Sequence, residues 1–354
     1  MTAQIDTTAA IRTGEELDIP ALERYLKENI EGASGPLSIE QFPSGHSNLT
    51  YLLRLGDREL VLRRPPFGSK VKSAHDMGRE YTVLSRLNPV YPPAPRPLAY
   101  CEDDSIIGAK FYVMERIKGV ILRQKKPKDL VTSPEIVAGC CTSLIKNLAA
   151  LHAIDYKSIG LDHLYKGPNY VERQVNGWAD RYTGSKTDDI PEIDQVISWL
   201  RQRIPADTGA ALVHNDCKFD NIVLDPNDLT RIIGVLDWEM ATIGDPLADL
   251  GTSLGYWIEP TDDAVNVVQC FMTTEPGALT RMQLAEIYAA RTGRDISNIL
   301  YYYVLALMKL AVIVQQIYYR YKQGLTKDER FAPLIYMVAI LSRKAIGSIE
   351  SEKL

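Results

Sequence analysis

Near Gly119 the apolar pattern changes its period, and this change limits the fold more than any other feature of the chain. Upstream, Leu37–Phe42, Leu49–Leu55 and Glu59–Arg64 are short, partly alternating runs separated by SerGlyHisSerAsn and GlyAsp. Period-two alternation broken by turn residues reads as a three-stranded antiparallel meander. Ile19–Ile30, opened by Asp18 and Pro20, and Asp76–Leu87 read as helices, and Leu98–Glu102 and Phe111–Ile117 as two more strands. Downstream the spacing turns helical in Pro134–Ile154, Ile193–Ile204, Asp262–Met272, Thr280–Arg291, Asn298–Lys322 and Ala332–Gly347. One island of strands interrupts it, at Ala211–His214, Ile222–Leu224 and Arg231–Asp237. A chain of 354 residues is too long for one ordinary core. The pattern therefore predicts an α+β protein of two lobes with a cleft between them. Residues 1–117 form a small antiparallel-sheet lobe, with 1–17 a loose polar tail, and residues 118–354 form a larger, mainly helical lobe.

Composition removes several classes. A 45% hydrophobic and 24% charged content is that of a globular chain, not of a disordered or collagenous one. With 40 basic and 45 acidic side chains, the net charge of −5 carries no nucleic-acid footprint. The five cysteines include no CxxC pair, so neither a metal knuckle nor a disulfide framework fits. No secretory leader is legible, and a cytoplasmic location is expected. The apolar run Ile299–Val314 is broken by Lys309 and falls short of the ~20 apolar residues of a membrane span. It reads as a buried helix, and no membrane role is expected.

The chemistry is concentrated between Val213 and Gly251. His214-Asn215-Asp216-Cys217-Lys218-Phe219-Asp220-Asn221 follows the apolar AlaLeuVal, so it begins at a strand end. Gly234-Val235-Leu236-Asp237-Trp238-Glu239 again ends an apolar run on an aspartate. Carboxylate and amide oxygens at neighbouring strand ends suit Mg²⁺. A further carboxylate in the loop can take a hydroxyl proton, and a lysine two residues on can reach a transferring phosphate. These are the parts phosphoryl transfer requires.

HxDxxxxN followed by an aspartate at a strand end resembles the catalytic core of the protein-kinase-like fold. With AspTrpGlu in place of AspPheGly, the chain resembles the aminoglycoside phosphotransferase family. The run Ile243-Gly-Asp-Pro-Leu-Ala-Asp-Leu-Gly251 and the segment Tyr170–Trp178 resemble the branch related to kinase domains fused to acyl-CoA dehydrogenases. The resemblance implies Asp216 as catalytic base, Lys218 near the γ-phosphate, and Asn221 and Asp237 as Mg²⁺ ligands. It places Asp249 where an aspartate braces the catalytic loop; a helix N-terminal carboxylate is the alternative reading.

In the small lobe, Ser44, Gly45, Ser47 and Asn48 join two strands where this fold covers the nucleotide phosphates, although the loop has one glycine and not three. Val61-Leu62-Arg63 lines up with the kinase Val-x-Lys strand, with arginine in place of lysine. Glu80 on the next helix is its ion-pair partner, Arg64 points the other way by strand alternation, and a slip of one residue would exchange the two arginines. The connector at Glu115 and Ile117 offers backbone groups to an adenine. The resemblance thus implies an ATP- and Mg²⁺-dependent phosphotransferase with a small-molecule hydroxyl acceptor. Hydroxyacyl thioesters, sugars and amino alcohols all remain open as that acceptor. The alternative is a nucleotide-binding pseudokinase serving as an interaction module, for which Arg63 is the only support. The mixed charges from Glu259 onward disfavour a polycationic aminoglycoside, unless Asp262, Asp263, Glu275 and Glu286 form one acidic pocket.

Overall fold

The computed structural model of the chain describes residues 7–43, 48–67, 76–123, 130–262 and 271–354. By internal contacts it divides into two units. The first comprises Met1–Ile121, Pro127–Leu130 and Asn221–Ala241; the second comprises Leu122–Lys126, Val131–Asp220 and Thr242–Leu354.

The first unit is built on strands β1 (Leu37–Gln41), β2 (Leu49–Leu55), β3 (Arg58–Arg64), β4 (Pro97–Cys101) and β5 (Phe111–Glu115). They form one antiparallel sheet in the order β1-β2-β3-β5-β4. Helix α1 (Ile19–Asn29) starts at Asp18, whose side chain accepts the Ala21 N–H at 3.0 Å. Its Leu22 and Leu26 share a core with Tyr51 and Leu53 of β2, Leu62 of β3, and Phe111 and Val113 of β5. The alternate residues carry Arg63 and Tyr112, which pair across β3 and β5, and helix α2 (Met77–Leu87) serves that set through Glu80.

Two sequence expectations are corrected here. Residues 7–17 are not a loose tail. Ala9 and Gln41 exchange backbone hydrogen bonds of 2.8 and 3.0 Å, and Tyr51 Oη donates to the Glu15 carbonyl at 2.8 Å. The segment pairs with β1, whose outer edge would otherwise be bare. The boundary at residue 117 also fails, because the hairpin of β7 (Ile222–Asp225) and β8 (Asp228–Val235) packs with the first unit. Val120 and Leu224 exchange two backbone bonds of 2.9 and 2.8 Å, and Val235 N–H donates to the Pro93 carbonyl at 2.8 Å. The approach at Val120 requires Gly119, where a Cβ would collide with the Leu224 carbonyl oxygen.

The second unit carries α3 (Pro134–His152), α4 (Tyr170–Ser185), α5 (Pro191–Gln202), α6 (Pro246–Gly255), α7 (Phe271–Thr274), α8 (Arg281–Thr292), α9 (Ile299–Lys322) and α10 (Leu334–Ser351). Strands β6 (Ala211–Val213) and β9 (Thr242–Gly244) pair with Leu212 opposite Ile243. Asp263–Cys270, most of one expected helix, lies outside the described residues. Helix α9 is the centre of this unit. By length and composition α9 and Glu329–Ser351 are each apolar enough to cross a membrane, but 72% of the α9 stretch is buried inside the protein, against 22% of the other.

Candidate active site

At the end of β6 the chain enters the loop His214–Asp220, and side chains from five helices hold it. Asn215 adopts the left-handed conformation, φ 65°, next to two consecutive N–H groups that meet one carboxylate. Asp249 of α6 accepts the His214 N–H on Oδ2 and the Asn215 N–H on Oδ1, both at 2.7 Å. His152 of α3 lies 3.0 Å from Asp249 Oδ2 through Nε2, and 2.7 Å from the Tyr288 hydroxyl of α8 through Nδ1. A neutral imidazole with its proton on Nε2 satisfies both contacts. Tyr170 of α4 donates to Asn215 Oδ1 at 3.2 Å, and Lys309 of α9 donates to the Asn215 carbonyl at 3.1 Å. Within the loop, His214 Nδ1 accepts the Asp216 N–H at 3.2 Å, a contact that uses the ring as scaffold.

Asp249 is completely buried. Burial pushes its pKa up, but the His152 hydrogen bond, the nearby His152 and His214 rings and the His214 N–H outweigh burial and leave it below the ordinary carboxylate range. It therefore stays ionised and braces the loop. Asp216 is held differently: Lys218 Nζ lies 2.8 and 3.0 Å from its two oxygens and 4.3 Å from the centre of the Tyr256 ring. Between them, Cys217 is buried, and desolvation, with Asp249 and Asp216 close by, pushes its thiol far above the usual range. It offers no thiolate nucleophile.

The first unit gathers a second set of charges. Arg63 is buried; Nη1 donates to Glu80 Oε1 at 2.9 Å and Nη2 to Asp237 Oδ1 at 3.0 Å. Nη2 also lies 3.6 Å from Glu239 Oε2, which accepts from Asn48 Nδ2 at 2.7 Å. Arg79 donates to the Glu239 carbonyl at 3.0 Å and to the Ala241 carbonyl. Burial pushes the Glu80 carboxyl up, and Arg63 offsets this only in part. Arg64 takes the opposite face of β3, with Nη1 on the Ile107 carbonyl at 2.8 Å and its guanidinium 3.6 Å from the Phe67 ring centre. The register with Arg63 beside Glu80 is the one present.

Asp237, also left-handed at φ 68°, lies two residues beyond the end of β8. The Leu236 N–H donates to the Asn221 carbonyl at 2.8 Å, so Asn221 and Asp237 stand at the same end of the β7–β8 hairpin. A carboxylate and an amide fit a hard cation that completes its shell with phosphate and water oxygens. Among the described residues no group of three His, Cys, Asp or Glu forms a metal cluster. Ser44, Gly45 and Ser47 lie outside the described residues. Of the connector pair, the Glu115 N–H is taken by the Arg96 carbonyl at 2.9 Å, whereas no hydrogen bond within the described residues engages the Ile117 backbone.

Within the second unit a cavity of about 330 Å³ reaches the loop at Lys218 and Asp220. Its walls are mainly apolar, among them Leu144, Trp257, Leu310 and Leu341. Asp262 also lines it, but is paired with Arg281 and, at 2.8 Å, with Lys344. Glu275 and Glu286 are not part of the lining, and Asp263 lies outside the described residues. No acidic pocket of those four residues is present among the described residues.

The profile of the Phosphotransferase enzyme family matches residues 38–284, more than half of the chain. The chain belongs to this family. It is 38% identical over 357 residues to acyl-CoA dehydrogenase family member 11 of Rattus norvegicus; the match covers 97% of this chain but only 45% of that protein. A crystal structure from Ralstonia eutropha assigned to the aminoglycoside phosphotransferases superposes with TM-score 0.77 at 30% identity, covering 94% of this chain and 99% of that one. Choline kinase from Cryptosporidium parvum shares the fold, with TM-score 0.66 at 13% identity over 95% of this chain and 97% of that one. This phosphotransferase thus has the kinase-like α+β fold that its motifs implied, and its branch is the one fused elsewhere to acyl-CoA dehydrogenases. Tyr170, Tyr288 and Lys309 were not singled out as functional from the sequence. Lys309 left a signal as the charge that interrupts the most apolar run, and Tyr170 as the start of the segment that resembles the fused branch.

Proposed function

We propose that this phosphotransferase is ATP- and Mg²⁺-dependent and phosphorylates the hydroxyl of a small amphipathic molecule, with a hydroxyacyl thioester as the best-fitting acceptor class. The cavity carries this reading, because an apolar chamber that ends at Lys218 suits an aliphatic body with its hydroxyl at the loop. Of the two acidic residues in the same lining, Asp262 is paired with Arg281 and Lys344 and Asp220 lies near the positive charges of Lys218 and Arg123, so a polycationic antibiotic meets little acidic surface there. The acyl-CoA name of the rat relative points the same way, although the chain spans less than half of that protein.

Asp216 accepts the hydroxyl proton as the acceptor oxygen bonds to the γ-phosphorus, and the γ-phosphorus–oxygen bond breaks with its electron pair leaving on ADP. Arg63 and Asn48 support the phosphates, and the Ile117 backbone reads the adenine edge. Asn221 and Asp237 would hold Mg²⁺, which when bound neutralises phosphate charge. Lys218 moves from Asp216 to the transferring phosphate.

Phosphorus NMR of ATP consumption decides the matter, with a hydroxyacyl-CoA, choline, glucose and kanamycin as acceptors. A new phosphate-ester signal with the hydroxyacyl-CoA, lost in Asp216→Ala and on chelation of Mg²⁺, is expected. Nucleotide binding without transfer to any acceptor would instead support the interaction-module reading.

A further inference from the structure

We infer that Lys309 is a positioning residue for Asp216, holding the peptide group between Asn215 and Asp216 by its oxygen. This inference rests on the phosphotransfer reading, because it assigns Lys309 a purpose only if Asp216 is the base.

Lys309 sits in the most apolar helix of the chain, flanked by buried Met308, Ala311 and Val312, and is only 7% exposed. Its ammonium donates to the Asn215 carbonyl at 3.1 Å and lies 5.9 Å from the Trp178 ring centre. Among the described residues it makes no other hydrogen bond and no ion pair. A lysine brings three donors, so most of its hydrogen-bonding capacity is unused. Burying a cation without a carboxylate partner disfavours folding. Burial accordingly pulls the Lys309 ammonium below its usual range, although Asp216 and Asp249 oppose the shift; Lys218 and Arg181 add to it. Methionine would fill nearly the same volume without that penalty. A core position that breaks the packing rule is a marker of function more often than of stability.

The gain is visible in one peptide plane. The Asn215 carbonyl belongs to the same peptide group as the Asp216 N–H. Lys309 takes the oxygen at 3.1 Å, and His214 Nδ1 takes the N–H at 3.2 Å. Both polar ends of the plane leading into Asp216 are therefore fixed, and Asn215 is held in a left-handed conformation that persists only where its surroundings impose it. Asp249 fixes the two preceding N–H groups but has no purchase on this carbonyl. Without Lys309 the oxygen end of the plane loses this donor, and the carboxylate is held less tightly in its productive geometry.

The test compares wild type, Lys309→Met and Lys309→Gln in thermal denaturation, amide exchange of residues 213–217, Mg²⁺·ADP affinity and phosphate transfer to a hydroxyacyl-CoA. For Lys309→Met we expect an unchanged or higher Tm, exchange in 213–217 at least tenfold faster, transfer at least tenfold slower, and unaltered ADP affinity. Lys309→Gln, which keeps a donor without the charge, should recover part of both losses. A Tm that falls together with transfer would make Lys309 a structural residue and overturn the inference. So would wild-type exchange and turnover in the methionine variant. If the wild type itself transfers phosphate to no acceptor, the phosphotransfer reading fails on its own; the exchange comparison still decides whether Lys309 fixes the loop.

Discussion

Lys218 closes on both carboxylate oxygens of Asp216, at 2.8 and 3.0 Å, while its ammonium lies 4.3 Å from the Tyr256 ring centre. The pair is compact but not sealed, with side-chain exposures of 25% and 15%. A general base is worth about 10²–10⁴ in rate. Asp216→Ala should therefore lose about that much kcat in steady-state ADP release while binding Mg²⁺·ADP normally by calorimetry. Lys218→Met should lose less, about tenfold to a hundredfold. Near-normal turnover in Asp216→Ala would remove this residue from the chemistry.

Arg63 reaches two carboxylates with two different nitrogens, Glu80 through Nη1 and Asp237 through Nη2. A lysine supplies the charge but not the fork. Arg63→Lys should retain measurable transfer with a KM for ATP raised several-fold, and Arg63→Ala should bind ATP far more weakly than adenosine. Removing one partner of a buried pair costs about 3–5 kcal/mol, so Glu80→Ala should unfold earlier in urea. Equal weakening of ATP and adenosine binding in Arg63→Ala would assign the arginine a purely structural role.

Asp249 links stability to pH. Its carboxyl lies below the ordinary range in the folded protein, whereas an unfolded aspartate titrates near about 3.9. The folded state therefore binds fewer protons there than the unfolded state. The stabilisation is complete above about pH 4 and is lost as pH falls through the lower, folded value. Tm measured from pH 6 downward should show an acid-side decline that is shallower in Asp249→Asn, whose Tm at pH 7 is already lower. Identical acid-side slopes in the two proteins would show that Asp249 does not carry this linkage.

Leu341 of α10 lines the cavity without being fully buried. Tryptophan there occupies existing space, so Leu341→Trp should stay within about 1–2 kcal/mol of wild-type stability, below the usual penalty of overpacking a full core. The KM for a hydroxyacyl acceptor should rise at least tenfold and that for ATP should not move. An unchanged acceptor KM would place the acceptor elsewhere.

Much of this was legible in the chain. The alternating runs gave the meander and put Arg63 and Arg64 on opposite faces of their strand, but a slip of one residue stayed open, and only the Arg63–Glu80 contact decides between them. The ordered His214–Asn221 and Asp237 motifs marked the loop and the hairpin end, because their spacing is local. What depended on distant partners was hidden. The short strand Thr242–Gly244 pairs with Ala211–Val213, and three residues carry too little pattern to announce a strand. Residues 7–17 looked like a tail because their anchors are backbone groups of Gln41 and a Tyr51 hydroxyl. Lys309 and Asn215 lie far apart in sequence, and no periodicity reports a hydrogen bond between them.

The hairpin Asn221–Ala241 has a consequence for how the protein is made. The first unit needs a segment that emerges from the ribosome only after α3, α4 and α5 of the second unit have been synthesised. Until then Arg63 has Glu80 but lacks Asp237, and the carbonyl of Pro93 and both polar groups of Val120 await their partners. Domains that are contiguous can settle in order as they emerge. This one must wait for a late insertion, so a nascent chain stopped at residue 121 should be readily proteolysed, and the sheet should acquire its resistance only once residue 241 has left the exit tunnel.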